Sequence, residues 1–157
     1  MDSTDRELLA LLQHDATQSY AALGEAVGLS AGAAHERVRK LRERGVVRRT
    51  TVAVDPSALG LGVLAFVLVQ AGAWVGDDST RARLAALPEV EEAHVIAGRA
   101  SLLLKVRTAS PRALQDTLRR IYHTDGITGT EAIMVLETFF ERPPDPREPR
   151  PQDAGGR

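Results

Sequence analysis

Seven basic side chains fall between Arg37 and Arg49: Arg37, Arg39, Lys40, Arg42, Arg44, Arg48 and Arg49. With the acids Glu36 and Glu43 counted, this stretch carries +5, while the whole chain carries −1. Positive charge gathered on one element points to phosphate neutralisation, which supplies the sequence-independent share of affinity for DNA. A charge run alone is usually a solvated helix face. Here it follows a short helix, a turn at Gly28–Ser30 and the start of a second helix, the layout in which the second helix docks in the major groove. Ser30, Ala31, Gly32, His35 and Glu36 then occupy the N-terminal half of that helix, where base edges are reached. Gly32 and Ala33 bring little hydrogen-bonding capacity, so direct readout falls to His35, Glu36 and Arg39, with Lys40 and Arg44 on the basic face. Arg37 turns closer to the core, and two readings of it stay open. It is a phosphate contact, or it is a buried stem whose head pairs with an acid such as Asp5.

Other chemistries find less support. His94 sits in an apolar stretch that reads as a strand, where a lone histidine is more often a packing residue than a catalytic base. His14 and His123 fall near helix ends, where positive charge complements the C-terminal dipole. His, Asp and Glu lack metal-ligand spacing, and there is neither a phosphate-cradling glycine loop nor a G-x-S-x-G elbow. Without cysteine there is no disulfide framework and no thiolate site. No metal or cofactor is called for. Aromatic residues make up 4% of the chain, too few for single-strand stacking platforms. Trp74 reads as an interface or edge residue. The N-terminus is polar and acidic, unlike a signal peptide, and the apolar run Val63–Ala73 is too short to span a bilayer. A cytoplasmic protein with no membrane partner is expected.

The elements that must position these groups follow from caps and periodicity. A chain of 157 residues, 43% hydrophobic and 26% charged, suits one ordinary globular domain or two small ones. Thr4-Asp-Arg-Glu7 has capping-box spacing and opens a helix with Leu8, Leu9 and Leu12 on one face. Ser19 N-caps a short helix that turns Leu23, Ala26 and Val27 inward, and Gly28 supplies the positive φ at its end. Ser30 caps a third helix, buried along Ala34, Val38 and Leu41 and ended by Gly45. Residues 1–50 are therefore expected to form a helix-turn-helix, winged-helix-like domain. Val46–Val54 is β-rich and half polar, and with the Asp55-Pro56 turn it predicts a linker or hinge strand over 51–62.

From 63 to 141 the signals alternate. Val63–Ala73 reads as a strand and Thr80–Leu87 as a helix ended by Pro88. Val90–Ala97 and Ser101–Thr108 are strands around the Gly98-Arg99-Ala100 turn. Ser110-Pro111 opens a helix carried by Leu114, Leu118 and Ile121 as far as Gly126, and Thr128–Phe140 is the last strand. This βαββαβ order is a ferredoxin-like sandwich, which makes the whole chain α+β. A strand as long and apolar as Val63–Val69 at a sheet edge would template aggregation unless paired. It predicts a homodimer with Leu64, Phe66 and Leu68 in a shared core. Residues 142–157 lack apolar periodicity and read as a disordered Pro-rich tail, whose P-x-x-P spacings (Pro143–Pro146, Pro146–Pro149) also match a partner ligand.

Four pieces of sequence, in this order, carry a resemblance. They are Asp5-Arg-Glu-Leu-Leu-Ala-Leu-Leu-Gln13, Leu23-Gly-Glu-Ala-Val-Gly-Leu-Ser30, Glu36-Arg-Val-Arg-Lys-Leu-Arg-Glu-Arg-Gly-Val46, and Leu87-Pro-Glu-Val-Glu-Glu-Ala-His-Val-Ile-Ala-Gly98 with Leu103-Leu-Lys-Val106. Over roughly residues 2–141 the chain resembles the leucine-responsive and asparagine-responsive (Lrp/AsnC) transcription regulators. The resemblance implies a homo-oligomeric, sequence-specific regulator of double-stranded DNA. Two-fold dimers would read a pseudo-palindrome and assemble further, often into octamers. It also implies a C-terminal domain that binds a small molecule, commonly an amino acid, between dimers. The effector-binding positions are then Gly98, Arg99, Ala100 and Ser101 in the turn, with Thr130, Glu131 and Ala132 near the start of the last strand.

Two departures bear on that effector. The family's turn usually reads Gly-x-x-Asp and here reads Gly98-Arg-Ala-Ser101; its Thr-x-Thr is here Thr130-Glu-Ala132. The carboxylate that would pair with a ligand ammonium is missing, so a weak or absent response to leucine-like amino acids is expected unless Glu131 replaces it. Either Arg99 and Glu131 form a different, charge-paired pocket suited to another ligand, or the site is silent. Sirohaem decarboxylases share the two-domain architecture, so an enzyme reading stays open, with His94 as a base and Arg99 or Arg107 for propionates. A ligand sensor that binds no DNA is a further alternative. The net-positive recognition helix favours the regulator.

Overall fold

A computed structural model describes residues 1–72, 74–75 and 77–147. The chain divides into two compact units, one of Met1–Val52 with the described residues from Phe140 onward, the other Ala53–Phe139. Three helices make the first unit: α1 (Ser3–His14), α2 (Tyr20–Ala26) and α3 (Ala31–Glu43). Each opens on a side-chain cap. The carboxylate of Asp2 accepts from the Asp5 amide at 2.8 Å while that of Asp5 accepts from the Asp2 amide at 3.3 Å, so the capping box stands ahead of the Thr4…Glu7 spacing. An aspartate cap brings a full charge to the positive helix end, where a threonine brings none. Ser19 and Ser30 cap α2 and α3 as expected, each accepting from the amide three residues on at 3.2 Å. Leu8, Leu23 and Ala34 are fully buried where the helices meet, and Val38 and Leu41 continue the buried stripe of α3.

The α2–α3 turn is tight because glycine stands at two places in it. The Leu29 amide donates to the Gly24 carbonyl at 2.8 Å, and a Cβ on Gly24 would stand 2.6 Å from the Leu29 carbonyl oxygen. Gly28 adopts φ +71°, in the left-handed region. At the far end of α3 the Gly45 and Val46 amides donate back to the Arg42 and Leu41 carbonyls, both at 2.9 Å. The hinge strand expected over 51–62 does not form among the described residues. That stretch holds a single 3-10 turn, Pro56–Leu59, started by Asp55 accepting from the Ser57 amide at 2.9 Å. A β-rich sequence with no strand edge beside it forms no ladder and stays irregular. The tail is also partly held. The Arg147 guanidinium makes two bonds of 2.9 Å to Glu7, and Arg6 donates to the Pro146 carbonyl at 3.3 Å. Pro143–Pro146 thus lies along α1 instead of running free; the disorder expected for 148–157, and the Pro146–Pro149 spacing, fall outside the described residues.

The second unit is an antiparallel sheet of β1 (Val63–Ala71), β2 (Val90–Val95), β3 (Leu102–Thr108) and β4 (Ile127–Met134), in the order β2-β3-β1-β4. With α4 (Asp78–Ala85) and α5 (Pro111–Tyr122) on one face, it is the expected ferredoxin-like βαββαβ sandwich. α4 starts two residues ahead of the expected Thr80, because Asp77 caps it, accepting from the Thr80 amide at 2.8 Å. Ser110 caps α5 through the Ala113 amide at 3.1 Å, as its Ser-Pro start predicts. Ala65, Val67 and Val69 of β1 and Leu102, Leu104 and Val106 of β3 face the helices, which return Leu84, Leu114 and Ile121. The strand alternation sends Leu64, Phe66 and Leu68, with Leu103, Lys105 and Arg107, to the other face, which no helix of this unit covers.

Two expectations for this unit are corrected. β1 is no edge: it pairs with β3 on one side and β4 on the other, and its unbroken apolar run is what an interior strand requires. The edges are β2 and β4. The last strand stops at Met134, well short of Phe140. The Val135 amide makes a final bond of 2.9 Å to Leu64, where β1 itself begins. Leu136, Phe139 and Phe140 are left 95%, 86% and 72% exposed.

Candidate nucleic-acid interface and ligand turn

α3 buries Ala34, Val38 and Leu41 and turns the rest of its surface outward. Its first turn is smooth: Ala31 and Gly32 are exposed, and a Cβ on Gly32 would meet nothing within 4 Å. A partner can approach the backbone closely there, and with Ser30 at the cap the amides of the helix end point at it. His35 is exposed but engaged. Its ring meets that of Tyr20 edge-on, 4.6 Å between centroids and 82° between planes, and the Tyr20 hydroxyl accepts from Arg42 at 3.2 Å. One tyrosine of α2 therefore steadies both halves of α3. Sequence reasoning missed this link, because no periodicity joins Tyr20 to His35 and Arg42.

The cations of α3 are not equivalent. Arg37 donates to Asp2 at 2.7 Å and to Asp5 at 2.9 Å, so the expected pairing with Asp5 forms and Asp2 joins it. Asp2 sits below its ordinary carboxylate range, chiefly through the Asp5 amide and then through Arg37. Arg39 grips Glu36 with contacts of 2.6 and 2.8 Å and also bonds Glu43. The fork of Arg39 pulls Glu36 down to about 2, and the two carboxylates in turn raise Arg39. Lys40 stands 3.6 Å from Glu36. Arg44, expected on the basic face, is exposed just past the helix, at its C-cap.

At the other candidate site, the Gly98–Ser101 turn is anchored by its backbone: the Ser101 amide donates to Val69 at 2.9 Å and the Ile96 amide to Ser101 at 3.1 Å. Ala100 is buried under it, and Arg99 reaches Glu131 at 3.4 Å, the pairing expected. The remaining positions do not converge. Thr130 and Ala132 pair with Val69 and Val67, which face the helices, so the pleat carries them to the opposite face from Glu131. His94 is no packing residue. It is exposed on the edge strand β2, 3.0 Å from Glu92, which it holds below the usual carboxylate range. Arg107 bonds Glu91 at 2.7 Å. His94, Arg99 and Arg107 are each occupied by a separate carboxylate.

Comparison with known proteins agrees with both halves. The AsnC-type helix-turn-helix domain matches residues 1–42, and the Lrp/AsnC ligand binding domain matches residues 64–145. The chain is 34% identical over 141 residues to the HTH-type transcriptional regulator FL11 of Pyrococcus horikoshii, covering 90% of this chain and 93% of that one. The structure of Escherichia coli AsnC superposes with a TM-score of 0.86 at 32% identity, over 92% of this chain and 98% of that one. The feast or famine regulatory protein of Mycobacterium tuberculosis, solved in complex with L-methionine, gives 0.82 at 37% identity, over 89% and 95%. The capped recognition helix, the βαββαβ sheet and these matches along nearly the whole chain place the protein in the Lrp/AsnC family of transcription regulators.

Proposed function

We propose that this regulator reads a pseudo-palindromic site on double-stranded DNA through α3 of two copies, with Ser30, Ala31, Gly32, His35, Glu36, Arg39 and Lys40 nearest the groove. The observation that carries this reading is α3 itself: a serine-capped helix with a side-chain-poor first turn and ionic side chains on its outer face. Arg37 serves the fold through Asp2 and Asp5 and touches no phosphate. The two copies associate through the uncovered sheet face, where Phe66, Leu68 and Leu103 are only partly buried and Ile133 is 48% exposed. Dimers assemble further, as family resemblance implies, and the protein works in the cytoplasm without enzymatic activity. Against the decarboxylase reading stands the separate pairing of His94, Arg99 and Arg107 with carboxylates.

The L-methionine complex of the Mycobacterium tuberculosis relative supports an amino-acid-like effector at the Gly98–Ser101 turn. Ser101 offers no charge to an ammonium, and charge-assisted bonds contribute roughly 1.5–3 kcal/mol. Affinity for simple amino acids is therefore low here, and Glu131, which Arg99 of the turn already faces, is the carboxylate that could take its place. Selection of bound duplexes from a random-sequence pool tests the main reading. Enrichment of an inverted repeat is expected, with half-sites a whole number of helical turns apart; a pool that stays random after selection overturns it.

A further inference from the structure

The ion pairs of the helical unit sort its cations into two groups. Arg37, Arg39 and Lys40 face four carboxylates, those of Asp2, Asp5, Glu36 and Glu43. Arg42 bonds only the neutral Tyr20 hydroxyl, and Arg44, Arg48 and Arg49 form no ion pair among the described residues. Arg42, Arg48 and Arg49 also line one open cleft of about 740 Å3, beside Leu12 and Val47, and no acid lines it. We infer that the grip on the DNA backbone is exerted by Arg42, Arg48 and Arg49, and that Arg39 and Lys40 add little to it; the inference rests on the DNA-binding reading above.

The physical reason is an exchange argument. Electrostatic affinity for DNA comes from neutralising phosphates and so releasing their counterions. A phosphate that approaches Arg39 finds its guanidinium already filled by Glu36 and Glu43. To bind, it must push aside a carboxylate that then remains next to it, so one anion replaces another and little counterion is released. In the free chain Arg39 holds Glu36 well into its ionised form, so the competing anion is in place before a phosphate arrives. Arg48 and Arg49 carry no such competitor. Both are exposed on the irregular segment just past α3, where guanidinium forks can reach phosphates and bind them in two-bond fashion. The two groups then divide the work. Glu36, Arg39, Lys40 and Glu43 form a surface of no net charge, which suits base reading because it holds few phosphates indiscriminately, while the arginines after it supply the sequence-blind hold.

The experiment is a salt titration of binding by the full chain to a mixed-sequence duplex, followed by anisotropy between about 50 and 200 mM salt. R48A/R49A is expected to flatten the slope of log K against log salt by roughly 1.8, at about 0.9 per lost contact. R48K/R49K keeps the parent slope, which separates loss of charge from loss of fold. R39A and K40A each flatten it by less than half a contact. E36Q/E43Q, which frees Arg39 of both carboxylates, steepens it by about one contact. A parent slope retained by R48A/R49A, an unchanged slope in E36Q/E43Q, or flattening that follows R39A and K40A instead overturns the inference while leaving DNA binding intact. A parent chain that binds no duplex at any salt concentration overturns the DNA-binding reading, and this inference with it.

Discussion

Among the described residues, the helical unit joins three buried side chains where its helices meet, Leu8, Leu23 and Ala34, while the sheet unit joins eleven into one cluster. The helical unit makes up the difference with local polar devices: the caps Asp2, Ser19 and Ser30, and the Arg37 clamp onto Asp2 and Asp5. A cap contributes about 0.5–2 kcal/mol, less than a well-packed core leucine. The surface that meets DNA therefore rides on the less robust unit, and a unit of that kind opens locally at a lower free energy than a continuous core.

The largest expected effect comes from Leu8→Ala, a loss of about 2–5 kcal/mol. Amide exchange should speed up throughout α1–α3 while the amides of β1 and β3 keep their protection; equal loss in both units would mean that they do not open separately. Gly24→Ala comes next. Its new Cβ meets a backbone oxygen at 2.6 Å, so the turn must move, at about 1–3 kcal/mol, with thermal unfolding as the measure. Gly32→Ala has the opposite sign, because nothing stands within 4 Å of its Cβ and alanine favours the helix by up to about 1 kcal/mol. The same variant should bind its DNA site more weakly. A gain in stability with unchanged binding would remove Gly32 from the interface.

The smallest effect is on pH. Glu36 titrates at about 2 against an ordinary 4.5, so its pairing with Arg39 is fully present above about 4.5 and is lost as pH falls toward 2. Both side chains are well exposed, and such pairs add little to stability. The effect is best read as a carboxyl chemical-shift titration, which Arg39→Ala should return toward 4.5.

Local signals were the legible ones. Ser19, Ser30 and Ser110 cap the helices they were expected to cap, because a cap is settled within four residues of chain. Thr4 failed only because Asp2, a stronger cap, stands two residues upstream. The order of the sheet was less accessible. Val63–Val69 shows that a strand is apolar on both faces, yet its neighbours are set by crossovers far along the chain, and the edge assignment was wrong for that reason. The candidate DNA face was legible in composition but not in its pairing: the run of basic residues gives no sign that Arg39 is filled by Glu36 and Glu43, or that Tyr20 lies against His35. At the ligand turn, Arg99 and Glu131 meet as their charges suggest, while the two-residue pleat separates Thr130 and Ala132 from them.

The Glu36–Arg39–Glu43 cluster has an evolutionary consequence. A glutamate codon becomes a lysine codon through one base change, G to A at its first position. At residue 36 that change would remove the carboxylate that both Arg39 and Lys40 face and add a third cation between them. On the division of cations inferred above, a duplicated copy of this gene would gain, in one mutational step, a reading surface that also holds phosphates regardless of sequence. The glutamate is what keeps the two outcomes apart, and its replacement by glutamine, which needs a different single change, C at the same position, opens a graded route between them.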